Sequence, residues 1–178
     1  LTLVTGNPHK LAEWQRILPP ELKVGAAEVD LDEIQSLDPE VIVADKARRA
    51  YEQLGQPVLV EDVSAGLTKL NGLPGPFIKF FNKQMGPDAL YQLAGKAGEP
   101  AMVSCIIAYY DGSTSLTVRA DVSGTVVPAR GDTSFGFDCC FVVDGQDKTY
   151  GEMTEAEKDK VSHRAQAVRQ MAEQLRQL

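Results

Sequence analysis

Three short stretches of this sequence carry side chains that could do chemistry. In TGNPHK, Asn7 is suited to cap a helix and Pro8 to open it, which puts Lys10 in the first helical turn. The unbonded N–H groups and the macrodipole already make that turn positive, so a cation there costs a few tenths of a kcal/mol unless an anion lies beside it. Backbone N–H groups at a helix start, together with one mobile ammonium, can hold phosphate oxygens. The spacing is not that of GxxxxGK[ST], so the common nucleotide-binding loop is not implied. The plain alternative is a surface lysine on a capped helix.

The second stretch pairs Glu33, in DLDE, with Glu61 and Asp62, which close PVLVED. Acids at the carboxyl end of a central strand lie where α/β sheets place ligands. One or two such carboxylates, with phosphates completing the shell, are how Mg²⁺ is usually held. The alternative is that they cap the following turn. The third stretch is EAEKDKVSHRAQA: with Ser162 as a cap, His163 and Arg164 enter the first turn of the last helix, and Lys158 lies nearby. His and Arg are donors able to read a carbonyl oxygen, although a solvated charged helix would look the same. SFGFDCCF adds Phe135 as a stacking surface for a flat ring and Asp138 as an acceptor for a ring N–H. Phe137 and Phe141 read as core, and Cys139 and Cys140 as buried apolar residues.

These residues need elements to position them. LTLV reads as a short buried strand, and Leu11, Trp14, Ile17 and Leu18 follow at helical spacing. KVGAAEV is a second strand. Asp38-Pro39 opens a helix over EVIVADKARRAYEQL that Gly55 closes. PVLVED is a continuous apolar strand ending at its two acids. LNGLPGPFIKFFNKQMGPD is a loop with a short helix, and a further helix runs from about Asp88 to Ala94. AMVSCIIAYY and SLTVRADVSGTVV form a hairpin turning at Asp111-Gly112. PARGDTSFGFDCC is a second Gly-rich loop. A helical tail follows, in which Thr154 and Glu157 make a capping box and Val168, Met171, Leu175 and Leu178 share a face. Strands alternating with helices around a central hairpin predict an α/β fold with a mixed sheet.

A chain of 178 residues is most simply one domain, 1–178, burying roughly 70% of its unfolded surface. A net charge of −7 argues against binding to nucleic acid or an anionic membrane, so any anion site is a local cluster of cations. AMVSCIIAYY is too short to span a bilayer, and no secretory-signal pattern opens the chain. Three cysteines, two of them adjacent, offer no disulfide framework, and a cytoplasmic location is expected.

Taken in order, TGNPHK, DLDE, VLVED, LPGPFIK, SFGFD and the EAEK-to-SHR segment resemble the inosine triphosphate pyrophosphatase family from Leu3 to about Ala165. That resemblance implies a long, twisted mixed sheet flanked by helices, two lobes with an active cleft between them, and a homodimer. It implies hydrolysis of non-canonical purine nucleoside triphosphates (ITP, dITP, XTP) to the monophosphate and pyrophosphate, with Mg²⁺, or Mn²⁺ standing in. By position, Thr5, Gly6, Asn7 and Lys10 match the phosphate turn. Glu33 and Asp62 match the metal acids, and Asp62 also matches the general base. Lys46 and Lys79 match lysines near the substrate. Phe135, Gly136, Phe137 and Asp138 match the base loop, and Lys158, His163 and Arg164 the purine-reading cluster. Three positions depart from the family pattern: Val63, where a hydroxyl residue near the phosphates is usual, Phe137 in place of Trp, and Cys139 in place of Pro. Val63 keeps open a rival reading, a nucleotide-binding sensor with little hydrolysis. A thiol redox role for Cys139-Cys140 lacks CxxC spacing.

Overall fold

The computed structural model describes residues 1–178. In chain order, β1 (Thr2–Val4) is followed by α1 (Pro8–Ile17), β2 (Gly25–Ala27), α2 (Pro39–Leu54), β3 (Val58–Leu67), β4 (Pro74–Gly75), α3 (Ile78–Met85) and α4 (Ala89–Ala94). Then come β5 (Pro100–Tyr110), β6 (Ser115–Val126), β7 (Phe141–Val143), α5 (Glu155–Val161) and α6 (His163–Leu175). The seven strands form one mixed sheet in the order β2-β1-β3-β5-β6-β7, with β4 added to β3. Strand β1 runs parallel to β2 and β3, whereas β4 and β7 run antiparallel to β3 and β6.

Local chemistry explains the helix ends. The Asn7 side chain accepts from the His9 N–H at 2.9 Å, with Pro8 at the first helical position. Asp38 does the same for Glu40 at 2.9 Å, and Gly55 closes α2 in the left-handed conformation, φ 65°. The Thr154–Glu157 capping box starts α5. Ser162 then turns extended (ψ 148°), and this break lets His163 begin a new helix rather than continue the old one.

Three sequence expectations change. Strand β3 does not stop at Glu61 and Asp62 but runs five residues further, because both acids are buried inside it instead of marking its end. KVGAAEV shrinks to three strand residues at the sheet edge, where one neighbour alone pairs with it. Leu178 lies beyond α6 and is 65% exposed, while Val168 and Met171 are buried.

The chain groups into two compact units. Unit 1 comprises Leu1–Asp62, Cys105–Ala120 and Arg164–Leu178; unit 2 comprises Val63–Ser104 and Asp121–His163. Unit 1 has two cores. Leu59 packs with Trp14 of α1 and with Val168 and Met171 of α6. Val58 and Val60 pack with Val43, Ala47 and Ala50 of α2. Unit 2 is built around Leu67, Val103, Val126, Phe137 and Phe141. No helix is long and apolar enough to cross a membrane.

Candidate active site

In unit 1, the turn after β1 is tied down by its own side chains. The Asn7 N–H donates to Thr5 Oγ1 at 3.0 Å, and the Thr5 N–H to the Ala27 carbonyl at 3.0 Å. Gly6 leaves room for the Glu28 carboxylate, since a Cβ there would come 2.8 Å from Glu28 Oε1. The anion beside Lys10 is Glu61: Nζ lies 3.3 Å from Oε1. Lys10 and Trp14 stand four residues apart on one helix face, and both point at that carboxylate. The Trp14 indole N–H donates to Glu61 Oε2 at 2.7 Å.

Strand alternation separates the two acids of β3. Glu61 shares the Leu59 face, toward α1 and α6; Asp62 shares the Val58–Val60 face, toward α2. Lys46 on α2 donates to Glu33 Oε2 at 2.9 Å. The expected grouping of Glu33, Asp62 and Lys10 is thus resolved into two sets, Glu33 and Lys46 with the α2 face that carries Asp62, and Lys10 with Glu61 on the other face.

Arg164 occupies the Glu61 face and is 2% exposed. Its Nε and Nη2 donate to Glu61 Oε1 at 3.1 and 2.9 Å, and Nη1 donates to Glu13. Burial alone would raise the Glu61 pKa, but the charges of Arg164 and Lys10 and the bonds from Arg164 and Trp14 outweigh it. They hold the carboxyl well below its ordinary range. Burial likewise works against a charged Arg164, yet Glu61 and Glu13 raise its pKa further. The sequence reading placed Arg164 with His163 as a pair of base readers. The structure divides them: Arg164 belongs to unit 1 and His163 to unit 2.

In unit 2, Lys158 Nζ donates to Asp138 Oδ2 at 2.5 Å, with both side chains about nine-tenths buried. The same ammonium lies 5.0 Å from the Phe135 ring centroid and 5.7 Å from that of Tyr150, within cation–π range. His163 stacks on Tyr150 at 5.7 Å and leans on Phe137 at 5.8 Å. Gly136, at φ 54°, supplies the left-handed turn that separates Phe135 from the core residue Phe137. Asp138, read as an acceptor for a ring N–H, therefore spends an oxygen on Lys158. Val63 is partly buried against the unit 2 core. Lys79 lies in the first turn of α3, 5.1 Å from the Phe80 ring. Cys105, Cys139 and Cys140 are free and buried, and burial pushes the Cys140 thiol up to about 12.

Three supporting residues, Glu13, Trp14 and Tyr150, escaped the sequence reading of the site, and a fourth, Glu61, was read only in part. Glu13 and Trp14 follow Lys10 at three and four residues, so helical spacing was their signal. Glu61 was seen as an acid but not as the hub of a buried network. Nothing local marked Tyr150. No group of three His, Cys, Asp or Glu side chains is placed to hold a metal ion by itself. The hard carboxylate oxygens of Glu33 and Asp62 nevertheless suit Mg²⁺ bound jointly with phosphate.

The chain matches the profile of the Ham1 family over residues 1–174. It is 42% identical over 174 residues to an inosine triphosphate pyrophosphatase of Pyricularia oryzae, covering 96% of this chain and 90% of that protein. It is 41% identical over 180 residues to one of Phaeosphaeria nodorum, covering 99% and 94%. Among solved structures, a HAM1 protein from Coxiella burnetii superposes with a TM-score of 0.83 at 27% identity, covering 99% of this chain and 98% of that one.

Proposed function

The chain belongs to the Ham1 family, and from that premise we propose that it hydrolyses non-canonical purine nucleoside triphosphates (ITP, dITP and XTP) to the monophosphate and pyrophosphate, removing them from the nucleotide pool. The observation that carries this reading is the unit 2 cluster: an aromatic face (Phe135), a carboxylate (Asp138), an ammonium (Lys158) and an imidazole (His163) gathered around a tight glycine turn. That set suits a flat, polar-edged base. Names borne by the relatives point the same way.

The roles follow from the chemistry of the residues. Lys10, the backbone N–H groups at the start of α1, and Thr5, Gly6 and Asn7 take phosphate oxygens. Lys46 and Lys79 add positive charge near them. Asp62 accepts a proton from the water that attacks the α-phosphorus, and pyrophosphate leaves. Mg²⁺ (or Mn²⁺), held by Glu33, Asp62 and the phosphates, would supply the charge neutralisation and Lewis acidity usual in phosphoryl transfer. Phe135 stacks on the purine, Gly136 and Phe137 shape the loop, and Asp138 faces a ring N–H. Lys158 and His163 donate toward a 6-oxo group, which adenine replaces with an amino donor, while Arg164 holds the Glu61 and Glu13 carboxylates. Three buried free thiols suit the reducing cytoplasm, and a homodimer completes the proposal.

The test is nucleotide hydrolysis in Mg²⁺ with ITP, dITP, XTP, GTP and ATP, scoring pyrophosphate apart from orthophosphate. Pyrophosphate from ITP and XTP, with ATP and GTP spared, is expected. Thermal stabilisation by ITP without turnover would instead favour the sensor, for which Val63 is the motive.

A further inference from the structure

Three groups converge on the Glu61 carboxylate, and they are not equally held. Oε2 accepts from Trp14 Nε1 at 2.7 Å and Arg164 Nε at 3.0 Å; Oε1 accepts from Arg164 Nη2 at 2.9 Å and lies 3.3 Å from Lys10 Nζ. Lys10 makes the longest of these contacts. Its side chain is 23% exposed, against 1% for Glu61 and 2% for Arg164. Lys10 is therefore the member able to leave, while Trp14 and Arg164 are fixed in the core.

Leaving matters, because a buried carboxylate stripped of its partners is strongly destabilising. Here Arg164 and the indole N–H remain when the ammonium goes. We propose that Trp14 is a positioning residue: its N–H holds Glu61 against Arg164, so that Lys10 can transfer from Glu61 to the polyphosphate of an incoming nucleotide without stranding a buried charge. This rests on the phosphate-binding role given to Lys10 above. The part played by Glu61 is that of a resident counter-ion, which the substrate displaces from Lys10. Deprived of the indole donor, Glu61 would lean more heavily on Lys10 and compete with phosphate for it.

Trp14 is the single tryptophan of the chain, so its emission reports directly on this site. The experiment titrates the full chain with inorganic tripolyphosphate in Mg²⁺, following Trp14 emission and, in parallel, heat of binding. An emission change in the wild type that Lys10→Met abolishes is expected. Trp14→Phe keeps an aromatic ring but no donor, and should raise the KM for ITP by about tenfold, one charge-assisted hydrogen bond's worth, with kcat within about twofold. A packing defect would lower the melting temperature without that split. Tripolyphosphate binding with unchanged emission overturns the proposal, as does a wild-type KM in Trp14→Phe. Hydrolysis of ITP with no tripolyphosphate bound also overturns it while leaving the pyrophosphatase reading intact. If no nucleotide is hydrolysed, the pyrophosphatase reading fails, and the emission response alone still decides whether Lys10 transfers to phosphate.

Discussion

Glu61 and Asp62, adjacent in the sequence, face opposite sides of β3. Glu61 lies with Trp14 and Arg164, and Asp62 with the α2 face. Substituting them should therefore have different consequences. Asp62→Asn is expected to lower ITP turnover by at least about 10²-fold, the contribution of a general base, with a nearly unchanged melting temperature. Glu61→Gln is expected to cost about 3 kcal/mol of stability, because it breaks a buried ion pair. Urea unfolding and initial rates on both variants check this, and the reverse pattern would exchange their roles.

The Lys158–Asp138 pair is a second buried charge contact. Lys158→Met should destabilise by about 3 kcal/mol, since it leaves Asp138 without its ammonium. Adding Asp138→Ala should recover part of that loss, because the stranded charge goes with it. A double-mutant cycle in urea measures the coupling; strict additivity would show that the contact contributes nothing.

His163 stacks on Tyr150, and reading the base is the role proposed for it. His163→Ala should narrow the ratio of kcat/KM for ITP over ATP by at least about tenfold, the cost of a lost hydrogen bond to a 6-oxo group. Parallel loss of activity on both nucleotides would place His163 in folding or positioning instead.

Asp111 closes the β5–β6 hairpin. Its Oδ1 accepts from the N–H groups of Thr114 and Ser113 at 2.7 and 2.9 Å, which hold its pKa at about 2. A carboxyl depressed in the folded state stabilises above its unfolded pKa, about 3.9, and loses that contribution as pH falls through its folded value. The melting-temperature gap between wild type and Asp111→Asn should thus be full above about pH 4 and close toward pH 2. Thermal unfolding from pH 6 down to pH 2 (about four units, chosen to bracket both values) follows it.

Chelation separates a substrate-borne metal from a structural one. With no three ligating side chains grouped together, EDTA should stop ITP turnover, Mg²⁺ should restore it, and the melting temperature of the nucleotide-free protein should not move. A fall in that temperature would reveal a metal already built into the fold.

The sequence by itself determined whatever depends on neighbours along the chain. Asn7-Pro8, Asp38-Pro39 and the Thr154–Glu157 box start their helices because a cap needs a side chain only two or three residues from the N–H it satisfies. The Asp111-Gly112 turn is local in the same sense, whereas the break at Ser162 was only one of two readings the sequence allowed. The question posed by Lys10 was also legible: a cation in a first helical turn calls for an anion.

Which anion it was, only the tertiary structure decided. Glu61 reaches Lys10 because β3 carries it past α1, fifty-one residues further along the chain. Pairing with Arg164 and Trp14 is what allows an acid to sit inside a strand rather than end it. The same holds for the split between His163 and Arg164. As sequence they are one motif of two donors, but a single step along a helix turns the next side chain about 100° away. One ring then packs among the aromatics of unit 2, while its neighbour crosses into the carboxylates of unit 1. Motif spacing names the groups; the pleat of a strand and the pitch of a helix assign each of them a side.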